Sequence, residues 1–164
     1  RAGPRGPVVS VRDHAQERLV AATTVTALVG ARVYGRRGRL GGISPDLTPE
    51  AFTGDGEILP SLVVVEEVRA AAQATKGGPP LDIHSVHSLA VWCYQHGGYD
   101  VVDDLLRAVR GVLHRHTPAG PLAGLVWIDC RWDSDGPDQV DPDIGLDACL
   151  RVARFNVTTR EVAP

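Results

Sequence analysis

Val11, Ala15, Leu19, Ala22, Val25 and Val29 recur at three- and four-residue steps, which predicts a helix over 12–29 with Gly30 as its stop. The β-branched run Thr23-Thr24-Val25-Thr26 weakens the end of that helix. A short strand, Ala31 to Tyr34, is expected next. Residues 35–59 show no regular pattern and carry Gly35, Gly38, Gly41-Gly42, Pro45, Pro49 and Gly54-Asp55-Gly56. A stretch of that length inside one domain reads as functional or mobile, and with little apolar surface of its own to bury it is expected to order only on contact with neighbours.

Four strands follow in the pattern. Leu62 to Val68 opens on four consecutive apolar residues, as a buried strand does. Val86 to Gln95 alternates, with Leu89, Val91 and Cys93 on one face and Ala90, Trp92 and Tyr94 on the other. Leu122 to Trp132 puts Val126, Ile128, Cys130 and Trp132 on one face. Ala148 to Thr159 sets Leu150 and Val152 against Ala153, Phe155 and Val157. Between the second and third strands lies a strongly amphipathic helix, Val101 to Arg115, with Val102, Leu105, Leu106, Val109, Val112 and Leu113 as its stripe. Asp100 is the expected N-cap, and the Arg and His residues of the last turns suit the negative end of the dipole. The order predicts a two-layer α+β domain spanning 1–164. Its mainly antiparallel sheet has four to five strands, with two helices on one face and a long irregular loop. Leu105, Leu106, Val109 and Leu113 should pack on the sheet, facing Val64, Val91, Val126 and Val152.

Composition changes this picture little. The chain has 164 residues, 43% hydrophobic and 23% charged, with no run long enough to cross a membrane as a helix. The first ten residues, rich in Arg, Gly and Pro, read as an extended arm and lack the apolar core of a signal peptide. Synthesis in the cytoplasm is the expectation. Three cysteines without a CxxC spacing, Cys93, Cys130 and Cys149, read as small buried hydrophobes.

Charge is more informative. Residues 1–45 hold eight Arg against Asp13 and Glu17, a formal +6, whereas residues 129–147 hold seven Asp against Arg131, a formal −6. Copies of such a chain can attract one another head to tail. Arg36, Arg37 and Arg39 are the candidate contacts to a neighbour or partner. Asp133, Asp135, Asp138, Asp141 and Asp143 read as a solvated loop, as a subunit contact or as an electrostatic surface that repels phosphates. The spacing of an EF-hand is missing among them. His84, His87, Cys93 and His96 are a tempting zinc set, but strand alternation sends His84 and His87, and likewise Cys93 and His96, to opposite faces. No P-loop, nucleophile elbow or dinucleotide fingerprint is present. The expectation is no enzyme, no metal and no cofactor.

The succession of segments resembles a known family. A first helix runs into Ala31-Arg32-Val33-Tyr34. Leu59-Pro60-Ser61-Leu62-Val63-Val64-Val65 passes from loop to strand. The strand Val86 to Gln95 is followed by Gly97-Gly98-Tyr99-Asp100 and a helix containing Asp103-Asp104-Leu105-Leu106. An acidic Asp/Pro segment leads into Ala148 to Thr158. Over roughly 12–160 this is similar to the tail terminator, or tail completion, proteins of long-tailed bacteriophages and related phage-like particles. The resemblance implies a structural virion protein of the tail and neck. It would form a homohexameric ring that ends tail-tube growth, contacts the major tail tube protein and joins the tube to the head-side connector or stopper. DNA would pass through without sequence-specific binding, with the five Asp residues facing either the channel or a neighbouring subunit. A head-closure or stopper protein is the alternative neck component, and a small metal-dependent enzyme using the His/Cys group the other.

Overall fold

Ser10 opens the first helix. Its Oγ accepts the Asp13 N–H at 3.1 Å, and Val11, Ala15 and Leu19 then fall on one buried stripe of α1 (Val11–Ala21). This is a computed structural model that describes residues 10–35, 43–67, 73–74, 83–122 and 124–161. The single expected helix is two. Ala22 is extended, and α2 (Thr23–Val29) restarts at the β-branched run and buries Val25 and Val29. Gly30, at φ +59°, ends it in a conformation that side chains rarely adopt.

The sheet has β1 (Val33–Gly35), β2 (Ser61–Glu67), β3 (Gln73–Ala74), β4 (Ile83–His96), β5 (Leu125–Asp135), β6 (Gln139–Val140) and β7 (Ala148–Glu161). Its order is β1-β2-β4-β7-β5, with β3 beside β4 and β6 beside β7. The two 14-residue strands β4 and β7 form the centre, paired from His84↔Arg160 to His96↔Ala148. Among the described residues the pairs are antiparallel except β1 with β2, which is parallel, so the sheet is mixed. A third helix, α3 (Asp100–Leu113), joins β4 to β5.

The three helices of the described residues cover one face. Leu62, Val64, Leu89, Val91, Cys93, Ala153, Phe155 and Val157 meet Leu19, Val25, Val102, Leu105, Leu106, Val109 and Leu113 in one core cluster. The stripe of α3 is thus buried as its periodicity predicts. Two of its expected partners differ. Register shifts at Trp127/Asp129 and Trp132/Ser134 mark bulges in β5, and the first rephases the strand. Trp127 and Cys130 therefore enter the core, while Val126 is only partly buried and Ile128 is 42% exposed. Val152 pairs with Trp92 and lies in the cluster of the opposite face.

That opposite face is not bare. Ile43, Ala51 and Ile58 pack with Val63, Ala90, Tyr94, Ala148, Leu150 and Val152. The part of the irregular segment after 42 is thus a coat over the sheet, giving a third layer where two were expected. It folds through a turn in which Thr48 Oγ1 donates to Ser44 O at 3.0 Å, a short 3-10 turn Pro49–Ala51, and a bridge between Phe52 and Ile58. Ile43, Ala51 and Ile58 supply the apolar contacts that its Gly and Pro content concealed.

Candidate assembly surface

The amino end of α3 is set by β4. Gln95 Oε1 accepts the N–H groups of Val101 at 2.9 Å and Val102 at 3.1 Å. Gln95 Nε2 donates to Asp100 Oδ1, a hydrogen bond that lowers the Asp100 pKa. The helix thus begins at Asp100 and is capped from the strand, with no side-chain cap from Tyr99. From α3 two Asp/Arg links reach the acidic corner made by the end of β5, β6 and the loop before β7. Arg110 Nη2 donates to Asp135 Oδ2 at 2.5 Å, and the guanidinium lies 4.0 Å over the Trp132 ring. Arg151 on β7 donates to Asp103 Oδ1 of α3 at 2.5 Å and to Asp138 Oδ1. The hydrogen bond to Asp138 is the main cause holding the Arg151 proton more tightly than usual; burial opposes it, and the charges of Asp103, Asp138 and Asp135 add to it.

The five candidate Asp residues are therefore divided. Asp135 and Asp138 are engaged by the subunit's own Arg110 and Arg151, and Trp132 Nε1 also donates to Asp135 at 2.9 Å. Asp133 is exposed and receives Ser134 Oγ at 3.1 Å and Asn156 Nδ2 at 3.4 Å. Asp141 accepts the Tyr94 hydroxyl at 3.2 Å and the Asp143 N–H at 3.1 Å, which shapes the loop. Asp143 is exposed, and its carboxylate has no cation partner among the described residues. Arg110 and Arg151 thus offset two units of the −6 read from the sequence, and among the five candidates Asp133 and Asp143 are exposed with no cation partner among the described residues. Arg36, Arg37 and Arg39 lie outside the described residues.

Beside Asp141 and Asp143 the coat leaves a groove of about 430 Å³. Val63, Val65, Trp92 and Leu150 line it from the sheet, with Ile43 and Ile144 from the coat and loop. Trp92 Nε1 is buried and has no acceptor among the described residues. An orphaned donor of this kind costs about 1–3 kcal/mol. Alternation in β4 placed Trp92 and Tyr94 on this face. What faces them depended on the path of residues 43–58, which no periodicity reports.

The His/Cys set does not converge. Cys93 lies in the helix-side core, where burial pushes its thiol well up. Cys130 is pushed up to about 12 by the same cause, and all three cysteines are free and buried. His87 Nδ1 sits 2.7 Å from Glu66 Oε1 and its Nε2 3.0 Å from Thr159 Oγ1, while His96 reaches Glu57 at 3.5 Å. Among the described residues no three His, Cys, Asp or Glu are grouped to hold a metal. No described helix is long and apolar enough to cross a membrane.

No family model matches the chain, and none of the curated proteins does. Among solved structures, the chain superposes on a chain of the virion of a native gene transfer agent (GTA) particle with a TM-score of 0.60. The likeness covers 89% of this chain and 91% of that one, at 14% identity, so it is a likeness of the whole fold. A second solved chain aligns more loosely, with a TM-score of 0.46 and 11% identity over 92% of this chain and 94% of its own.

Proposed function

We propose that this chain is a structural protein of a phage-like virion, and that it acts as a tail terminator. Six copies form a ring that ends the tail tube and joins it to the head-side connector or stopper, and DNA passes through the ring. The observation that carries this reading is the fold shared, nearly end to end, with a component of a gene transfer agent virion. It agrees with the segment order that resembles the tail terminator family. The surface supports it too: the side opposite the helices presents a groove, with exposed carboxylates at Asp133 and Asp143. In this account Arg36, Arg37 and Arg39 meet a neighbouring subunit or partner. Asp133 and Asp143 either meet that basic surface or face the channel, where like charge keeps DNA from adhering. Binding and positioning are its work; no reaction is assigned to it.

The test is to add the purified chain to major tail tube protein during polymerisation and follow tube length by electron microscopy. A terminator halts growth and leaves a ring on one end of each tube. Tubes of unchanged length with bare ends would refute the assignment.

A further inference from the structure

Among the described residues β5 is an edge strand, with β7 on one side and no strand on the other. An open edge presents backbone donors and acceptors that another chain can pair with. Here the turn after α3 covers it. Arg115 N–H donates to Cys130 O at 2.6 Å, and Trp132 N–H donates to His114 Nδ1 at 3.0 Å. Cys130 and Trp132 are two residues apart, so this carbonyl and this N–H point the same way from the strand. The backbone of Arg115 thus stands where one residue of a neighbouring strand would, and the His114 ring replaces that strand's carbonyl. His116 makes the third contact of the turn. Its Nε2 lies 3.0 Å from Nε2 of His14 on α1, and Trp127 of β5 meets both rings edge-on.

Two of these three links need an unprotonated nitrogen. A protonated His114 Nδ1 has no lone pair for the Trp132 N–H, and two fully protonated imidazoles cannot share a hydrogen bond. His114 is exposed, so protons reach it from solvent. The remaining link is strained: Arg115, at φ +60°, is the one non-glycine residue with positive φ among those described. The charged groups around the turn come from three elements. On α1, Glu17 favours protonation of His14, while Arg18 opposes it at both His14 and His116. On β5, Asp135 pairs with Arg110 of α3, and Asp129 pairs with Arg131. Arg115 adds a positive charge between the two histidines of the turn. We propose that residues 114–116 are a proton-operated clasp on the free edge of β5, closed at neutral pH and open in acid. Opening frees Cys130 O and Trp132 N–H to pair with an extended segment, and it lets Arg115 leave its left-handed conformation. The closed clasp binds fewer protons than the open one, so opening is favoured as the pH falls. Burial, which lowers the His14 and His116 values from 6.5, sets this on the acid side of neutrality. The clasp does not depend on the ring reading.

Amide hydrogen exchange of the full chain tests this, read residue by residue and corrected for the intrinsic pH dependence of exchange. Between about pH 7.5 and about pH 5.5, a window that spans the ordinary histidine value, the Trp132 and Arg115 amides should lose protection. One linked proton changes an equilibrium about tenfold per pH unit, so the loss should be at least about tenfold. Val91 and Ala153, paired at the centre of the sheet, should keep their protection. His114→Ala should strip protection from the Trp132 amide already at pH 7.5. His114→Gln with His116→Gln keeps hydrogen-bonding side chains that do not titrate, and should remove most of the pH dependence. Arg115→Gly, which accepts positive φ without strain, should keep the fold and move the loss to lower pH. Trp132 protection that does not change with pH would overturn the inference. So would an equal loss in the double Gln variant, or unchanged Trp132 protection in His114→Ala. A loss shared equally by Val91 and Ala153 would also overturn it, because the whole domain and not the clasp would then be opening.

Discussion

His14 on α1 and His116, just beyond α3, stack with ring centroids 5.3 Å apart and with their Nε2 atoms 3.0 Å from each other. One ring must donate a proton across that gap and the other must accept it, so the pair requires at least one neutral imidazole. Trp127 on β5 meets both rings edge-on. Burial is the main cause lowering both pKa values below the ordinary 6.5; Glu17 opposes the effect at His14, while Arg18 adds to it at both. Below 6.5 the unfolded chain therefore binds more protons than the folded one, so stability falls as pH falls through this window. The thermal midpoint should drop between about pH 7.5 and about pH 5, and His116→Gln should flatten that drop. An equal slope in the variant would show that other groups set the pH response.

Gln95 caps α3 from the neighbouring strand through Val101 and Val102. Gln95→Leu leaves those two N–H groups without the acceptor and should destabilise the fold by about 0.5–2 kcal/mol. Urea denaturation measures it, with Asp100→Asn as a comparison that keeps a hydrogen-bonding side chain at the helix start.

Leu106 packs in the core at 4% exposure, whereas Leu146 on the loop before β7 is 81% exposed. Leu106→Ala should cost about 2–5 kcal/mol. Leu146→Ala should stay within about 0.5 kcal/mol. Equal effects would mean that the α3 stripe does not bear on the sheet as described.

Attraction between unlike surfaces predicts a salt dependence for assembly. Arg36→Glu with Arg37→Glu should weaken subunit association, and more so at low ionic strength, where screening is least. Replacing Asp133 and Asp143 by Lys separates their two assigned roles: it disrupts rings if they meet a neighbour, and leaves rings intact but slows DNA passage if they face the channel.

What could be read from the chain alone follows from how local each determinant is. The α3 stripe, the two faces of β4 and β7 and the stop at Gly30 all depend on spacing within one element, and the structure shows them as read. The bulge at Ile128 does not. One inserted residue exchanges the faces of β5, so Trp127 takes the core position expected of Val126. Nor did the break at Ala22 follow from the apolar repeat, which runs unbroken across α1 and α2. The candidate surface was legible as charge and not as geometry. Seven Asp residues in one segment are visible in the sequence, but their partners are distant in the chain. Arg110 lies 25 residues from Asp135 and Asp103 lies 48 from Arg151. The groove was hidden for the same reason, because Ile43 and Trp92 meet only through the tertiary path of the coat.

The central claim is a closed ring of six identical subunits, and counting subunits tests it most directly. Native mass spectrometry of the purified chain, alone and mixed with major tail tube protein, should show a hexamer in at least the mixed sample. Class averages from electron microscopy should show the same six-fold ring. A strict monomer under both conditions would contradict the account.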